Sequence, residues 1–255
     1  MVSLPIMSKR SLKLLIKRAI FSYLRGMGFS FMVCGLFGLW VIGEAQDFLS
    51  ESFDLHLPII ERQNAVSFDS VDQFPKDLID MLLVSEDEVF WQHPGFSIKA
   101  ILRAFWSNIQ GLFSDGSSSI QGGSTITQQL AKNLYLDPGR TLQRKQKELY
   151  LALQLERNYS KSMILELYLN TAYMGNGIWG MGQASRAYFG VDPIELSPWQ
   201  SLMLVVTLRS PEHRNPMSGN FHIIFLCENM IDHMGMSPME KGSIILAIKE
   251  FLECN

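Results

Sequence analysis

Three cysteines in 255 residues are too few for a disulfide framework. Cys34 falls inside an apolar run, while Cys227 and Cys254 stand near the C-terminal end, where they either pair in an oxidising compartment or remain two free thiols. The five histidines, His56, His93, His213, His222 and His233, are scattered, and no Cys/His group has zinc-ligand spacing, which argues against a structural zinc. Neither Ser-x-x-Lys nor Lys-Thr-Gly occurs anywhere. Few segments alternate as strands do, so the chain reads as mainly α. Acidic residues are missing from the start: Lys9, Arg10, Lys13, Lys17, Arg18 and Arg25 all precede the first acid, Glu44, so the net charge of -3 hides a basic N-terminus. Little else is basic, and nucleic acid is not an expected partner.

Residues 26–43 lack charge altogether and hold Phe29, Phe31, Met32, Val33, Leu36, Phe37, Leu39, Trp40 and Val41. Eighteen residues just suffice to span a bilayer. The competing reading is a cleaved signal peptide, for which Gly43-Glu44-Ala45 is a poor cleavage site. The anchor is preferred, with residues 1–25 as a basic cytoplasmic segment, and either reading exports the chain beyond residue 44. Within 8–25, Arg10, Lys13 and Lys17 at helical spacing suit an amphipathic lead-in on anionic headgroups or, more simply, the flank of the anchor. Residues 44–71 read as a linker with at most one short strand.

From Asp72 the pattern is helical. Pro75 marks a helix start before Leu78, Met81 and Leu82, and Ile98, Ile101, Leu102 and Phe105 mark a second helix. Residues 111–119 form a long polar loop, read as a mobile cover beside a site or as a plain solvated connection. Gly122-Gly123-Ser124-Thr125-Ile126-Thr127-Gln128-Gln129-Leu130-Ala131-Lys132-Asn133 then opens a helix, with Ser124 or Thr125 as cap and Gln128 completing a capping box. A cap does not account for so many polar groups together, and they call for a polar partner. Residues 141–170 form the longest helical region, with Leu149, Ala152 and Leu153 on one face and Arg144 and Glu148 on another. Asn158-Tyr159-Ser160 interrupts it and Ser160 caps the next helix. Gly175, Gly177, Gly180 and Gly182 suggest tight turns or close backbone approach, without the strand-then-helix setting of a dinucleotide loop.

Glu86 lies in Glu86-Asp87-Glu88-Val89-Phe90-Trp91-Gln92-His93-Pro94-Gly95. Beside Val84, Val89, Phe90 and Trp91 its carboxylate would be partly desolvated and a better proton acceptor. The alternative is that Ser85 and Glu88 form a capping box, with Glu86 and Asp87 at a helix N-terminus. Glu148 stands one turn after Arg144, and a simple surface ion pair in that order is the weaker explanation. Lys132, Arg140, Arg144 and Lys147 suit phosphate, arginine through paired hydrogen bonds and lysine as a point charge, although a solvated face would also collect cations. Lys145 points elsewhere and is expected to be solvated, and His93 shows no base or metal partner and reads as structural.

In this order the run 86–95, the run 122–133, Arg140, the Arg144-Lys145-Gln146-Lys147-Glu148 pattern and Tyr168-Leu169-Asn170 resemble the peptidoglycan glycosyltransferases. These form glycosyltransferase family 51, found as monofunctional enzymes and as the first domain of class A penicillin-binding proteins. The likeness covers 72–216, and 217–255 is left as a helical tail that packs on the domain or meets the membrane. The resemblance implies a mainly α, lysozyme-like glycosyltransferase domain on one N-terminal transmembrane helix, polymerising lipid II into glycan strands. It implies Glu86 as catalytic base, Asp87 as its structural partner and Glu148 as organiser of the diphosphate site, with a divalent cation, Mg or Mn, held there. Lys132, Arg140, Arg144 and Lys147 would bind diphosphate, and Ser124, Thr125, Gln128 and Gln129 would hydrogen-bond sugar or diphosphate. Expected partners are lipid II, the growing strand, membrane lipids and proteins of cell division or elongation.

Without Ser-x-x-Lys or Lys-Thr-Gly, no cross-linking activity is expected. A hydrolase of the same polymer would have no use for the cations, and a non-catalytic scaffold would be expected to lose Glu86 or Glu148. Two departures from the family pattern stand out: Phe96-Ser97 where many relatives carry a residue and then Asp, and Gln200 where Glu is common, which questions any ion pair made there.

Overall fold

The computed structural model describes residues 68–97, 123–136, 139 and 141–254. The basic segment, the span expected at 26–43, most of the linker, the helix expected from Ile98, the loop at 111–119 and Arg140 lie outside them. Among the described residues no helix is long and apolar enough to cross a membrane.

Helix α1 runs Lys76–Glu86, with Pro75 as its N-cap, and buries Leu78, Met81 and Leu82. Glu86 is thus the last residue of a helix, so the reading of Ser85 and Glu88 as an N-terminal capping box fails. Helix α2, Ile126–Tyr135, opens with the capping box expected of Thr125 and Gln128. Helix α3, Leu142–Asn158, begins at Thr141, whose hydroxyl accepts the Arg144 N–H, and ends at Tyr159. Its buried face is Glu148, Leu151, Ala152 and Leu155, one step round from the face read off Leu149 and Leu153. Ser160 then caps α4, Lys161–Thr171, by accepting the Met163 N–H. Ser160→Ala should cost about 1 kcal/mol, read as a lower urea midpoint at unchanged slope.

Two short strands follow, β1 Tyr173–Gly175 and β2 Ile178–Trp179, antiparallel across an Asn176-Gly177 turn. Asn176 and Gly177 both take positive φ, +52° and +74°, as the tightest hairpin turns require. Helix α5 covers Met181–Phe189 and α6 covers Pro198–Thr207. Everything from Ser201 to Thr207 is buried. A helix apolar on all sides belongs at the centre of a fold, and α6 packs on α1, α5 and the two C-terminal helices. Each fully buried Leu or Val there contributes about 1.5–3 kcal/mol relative to exposure. Gln200 fills the place of the absent acid as a neutral cap: Ser197 N–H and Oγ both donate to its Oε1, at 2.8 and 2.9 Å.

A short turn of helix, α7 Pro211–Arg214, leads to α8, His222–Met234, and α9, Pro238–Cys254. The tail does pack on the domain: α9 lies against α6 and α8, and Phe251 meets Phe189 and Trp199 at ring distances of 5.4 and 5.3 Å. Cys227 is buried and Cys254 exposed, and both are free thiols. Burial pushes the Cys227 thiol up to about 12.

The end of the expected linker is fastened to the fold. Asp69 N–H donates to Asn170 Oδ1 at 3.0 Å, and Asn170 Nδ2 returns a bond to Asp69 O at 2.8 Å. The Asp69 carboxylate is buried and takes two bonds from the Arg186 guanidinium, at 2.6 and 3.0 Å. A Cβ on Gly182 would fall 1.8 Å from that carboxylate, so only glycine lets α5 come this close.

Candidate active site

Glu86 is delivered by the C-terminal end of α1, where its side chain is only 12% exposed. Its oxygens meet polar groups rather than the apolar neighbours expected from the sequence. Gln129 Nε2 donates to Oε2 at 2.8 Å, Ser85 Oγ to Oε1 at 3.2 Å, and Arg209 Nε lies 3.5 Å from Oε1. Arg209, which also donates to the Ser85 carbonyl at 3.0 Å, is a site residue that sequence reasoning misses. It follows the apolar α6 run, and its basic charge after that run is the one available signal.

Asp87, next in the chain, faces the other way and is buried. Its Oδ2 accepts the Ile126 N–H, the first of α2, at 3.0 Å. His93 Nδ1 accepts the Gly95 N–H at 3.0 Å, which leaves the ring proton on Nε2 to donate to the same Asp87 oxygen at 2.7 Å. His93 is structural as expected, and its partner is Asp87. One carboxylate therefore ties the end of α1, the turn through Gly95 and the start of α2 together. Thr125 adds a bond from its hydroxyl to Gly95 O at 2.7 Å.

The polar residues of α2 divide. Thr125 and Gln128 are buried, and the Thr125 hydroxyl and Gln128 Oε1, expected to meet a ligand, are engaged in the capping box. Thr127 donates to Glu156 at 2.6 Å, and Glu156 also pairs with Lys161 at 2.7 Å. Gln129 uses both ends of its amide within the protein, on Glu86 and on Tyr168. Lys132 is the member left with its charge aimed at the site. Burial pushes its amine below the ordinary lysine value, and the Glu148 carboxylate opposes that push.

Glu148 is buried, and its carboxylate pairs with Lys145, whose ammonium also donates to Ser124 Oγ at 2.8 Å. Lys145 is exposed, as expected, and its ammonium nevertheless reaches the site. Position around a helix fixes where Cβ points, and the four-carbon stem of lysine reaches round from there. Lys147, favoured from the sequence, is exposed. Arg144 is half-buried, and among the described residues its buried Nε has no hydrogen-bond partner. An orphan donor on a permanent cation, one turn into a helix, suits an incoming anion. Arg140, the remaining cation of the expected group, lies outside the described residues.

Two half-sites result: a carboxylate steadied by donors, and a basic group of Lys132, Arg144 and Lys145 around Glu148, joined by α2. A resident divalent ion does not fit this donor set. Glu148 is the acid amid those three cations, it is paired with Lys145, and among the described residues no three His, Cys, Asp or Glu side chains gather to hold a metal.

A family model described as Transglycosylase matches residues 56–230, more than half of the chain. The chain belongs to the transglycosylase family. The chain is 39% identical over 185 residues to the biosynthetic peptidoglycan transglycosylase of Alcanivorax borkumensis, covering 71% of this chain and 74% of that protein. It is 48% identical over 150 residues to penicillin-binding protein 1B of Vibrio cholerae, covering 57% of this chain and 19% of the relative. Penicillin-binding protein 1A of Aquifex aeolicus is 43% identical over 147 residues, covering 58% of this chain and 20% of the relative. The chain thus spans about a fifth of the length of the penicillin-binding proteins it matches.

Proposed function

We propose that the protein is a peptidoglycan glycosyltransferase that polymerises lipid II into glycan strands. The observation that carries this reading is the pairing of Glu86 with the Lys132, Arg144 and Lys145 group in a chain of the transglycosylase family. A sugar hydroxyl attacks the anomeric carbon of a second sugar. The new C–O bond forms as the bond from that carbon to the lipid diphosphate breaks. Glu86 takes the hydroxyl proton, and the diphosphate leaves with its bonding pair, its charge met by the three cations. Arg144 supplies an Nε with no partner among the described residues, Lys145 a point charge shared with Glu148, and Lys132 an amine that burial makes costly to charge in the absence of an anion.

We further place residues 26–43 as a single membrane anchor with the catalytic domain on the outer face of a bacterial cytoplasmic membrane. The uncharged span and its basic leading flank support that placement.

Purified full-length protein in detergent should convert labelled lipid II into long strands that muramidase digests. A folded protein that binds lipid II and makes no strands would defeat the reading. Arg144→Ala should weaken lipid II binding roughly tenfold, the effect of removing one charge-assisted anchor. Unchanged affinity would remove Arg144 from the diphosphate site.

A further inference from the structure

Tyr168 is fully buried, and among the described residues its hydroxyl has one hydrogen-bond partner, Gln129 Oε1 at 3.1 Å. The far end of the same amide, Nε2, donates to Glu86 Oε2 at 2.8 Å. Three residues from α4, α2 and the end of α1 thus form one chain of bonds that finishes on the carboxylate. The geometry points to Tyr168 as a positioning residue: its hydroxyl fixes which way round the Gln129 amide sits and so keeps a donor on Glu86.

A glutamine amide has two orientations of nearly equal shape, related by a half-turn about its last bond. One turns NH2 to Glu86, and the other turns the carbonyl oxygen to it and repels a carboxylate. The hydroxyl decides between them. Burial, with a smaller push from the Glu86 charge, holds the Tyr168 phenol well above its ordinary pKa, so it keeps its proton at neutral pH. With the amide reversed, the hydroxyl would accept from Nε2 and its own proton would be stranded in a dry interior. The observed orientation satisfies both ends.

The inference rests on Glu86 being the base. Other groups also face that carboxylate: Arg209 at 3.5 Å, Ser85 from α1 itself, and Lys132, which feels its charge from α2. All of them persist when only the phenol oxygen is removed. Tyr168→Phe therefore isolates the amide's orientation.

The test compares wild type, Tyr168→Phe, Gln129→Leu and the double variant as full-length protein in detergent, measuring kcat and KM for lipid II against pH. Tyr168→Phe should lower kcat about tenfold with KM nearly unchanged, as expected when a charged group loses a steady hydrogen bond. Losing the donor favours the protonated carboxyl, so the acid limb of kcat should move up by about half a pH unit or more. Because Tyr168 acts through Gln129, the double variant should match Gln129→Leu alone. A fall in kcat with an unmoved acid limb, or losses that multiply in the double variant, would overturn the proposal. If Tyr168→Phe fails to fold, Gln129→Leu carries the test: the same upward shift supports it and an unmoved limb overturns it. Glu86→Gln separates the two readings. An active Glu86→Gln defeats the base itself, whereas an inactive one beside an unshifted Tyr168→Phe defeats only the positioning role.

Discussion

Glu86→Gln should cut strand formation by about 10²- to 10⁴-fold, the range that general base catalysis contributes. Glutamine keeps the length and shape of the side chain and can still accept from Gln129, but it cannot take the hydroxyl proton at the rate a carboxylate does. Lipid II affinity should stay near wild type, because the basic group on α2 and α3 is untouched. Single-turnover kinetics and an equilibrium binding assay on the same preparation read both numbers. A variant that still makes strands at the wild-type rate would send the search for the base elsewhere. Loss of binding together with loss of rate would instead place Glu86 among the groups that hold substrate.

Asp87→Ala should be the most destabilising single change near the site, although Asp87 touches no substrate in the proposed reaction. It would strand the Ile126 N–H and the His93 ring proton, which now share one carboxylate oxygen at 3.0 and 2.7 Å. Deleting a buried charged acceptor with two donors aimed at it costs about 3 kcal/mol. For a domain of this size that lowers the thermal midpoint by roughly 6–12 °C. Activity should fall as well, since the end of α1 and the start of α2 would no longer be tied, and Glu86 and Gln129 stand on those two ends. Asp87→Asn keeps a neutral oxygen that both donors can still share and should recover part of the stability. Equal midpoints for Asp87→Ala and wild type would show that the tie carries no energy.

What can be read from the sequence is local. Thr125 with Gln128, Ser160 and the interruption at Asn158-Tyr159 all lie where expected, because a cap is settled within one turn of chain. The roles around Glu86 are less visible. Asp87 meets Ile126 across 39 residues, and Gln129 meets Tyr168 across another 39, and no spacing rule reaches that far. Hence the sequence gives no sign that Gln129, read as a sugar contact, has both ends of its amide engaged within the protein. Lys145 is exposed as its place on the helix suggests, yet it reaches Glu148, because angular position on a helix says little about where a long flexible stem delivers its charge. Gln200 shows the same limit from the other side: the missing acid suggests a lost ion pair, yet a neutral amide fills the cap.

The fastening at Asp69 has a mechanical consequence. Asp69 precedes α1 in the chain, and its main chain and carboxylate are gripped by Asn170 of α4 and Arg186 of α5. Tension applied along the chain from the N-terminal side is therefore delivered to α4 and α5 before it arrives at α1. The Glu86 carboxylate sits downstream of a strain relief, as a conductor sits behind the clamp on its cable.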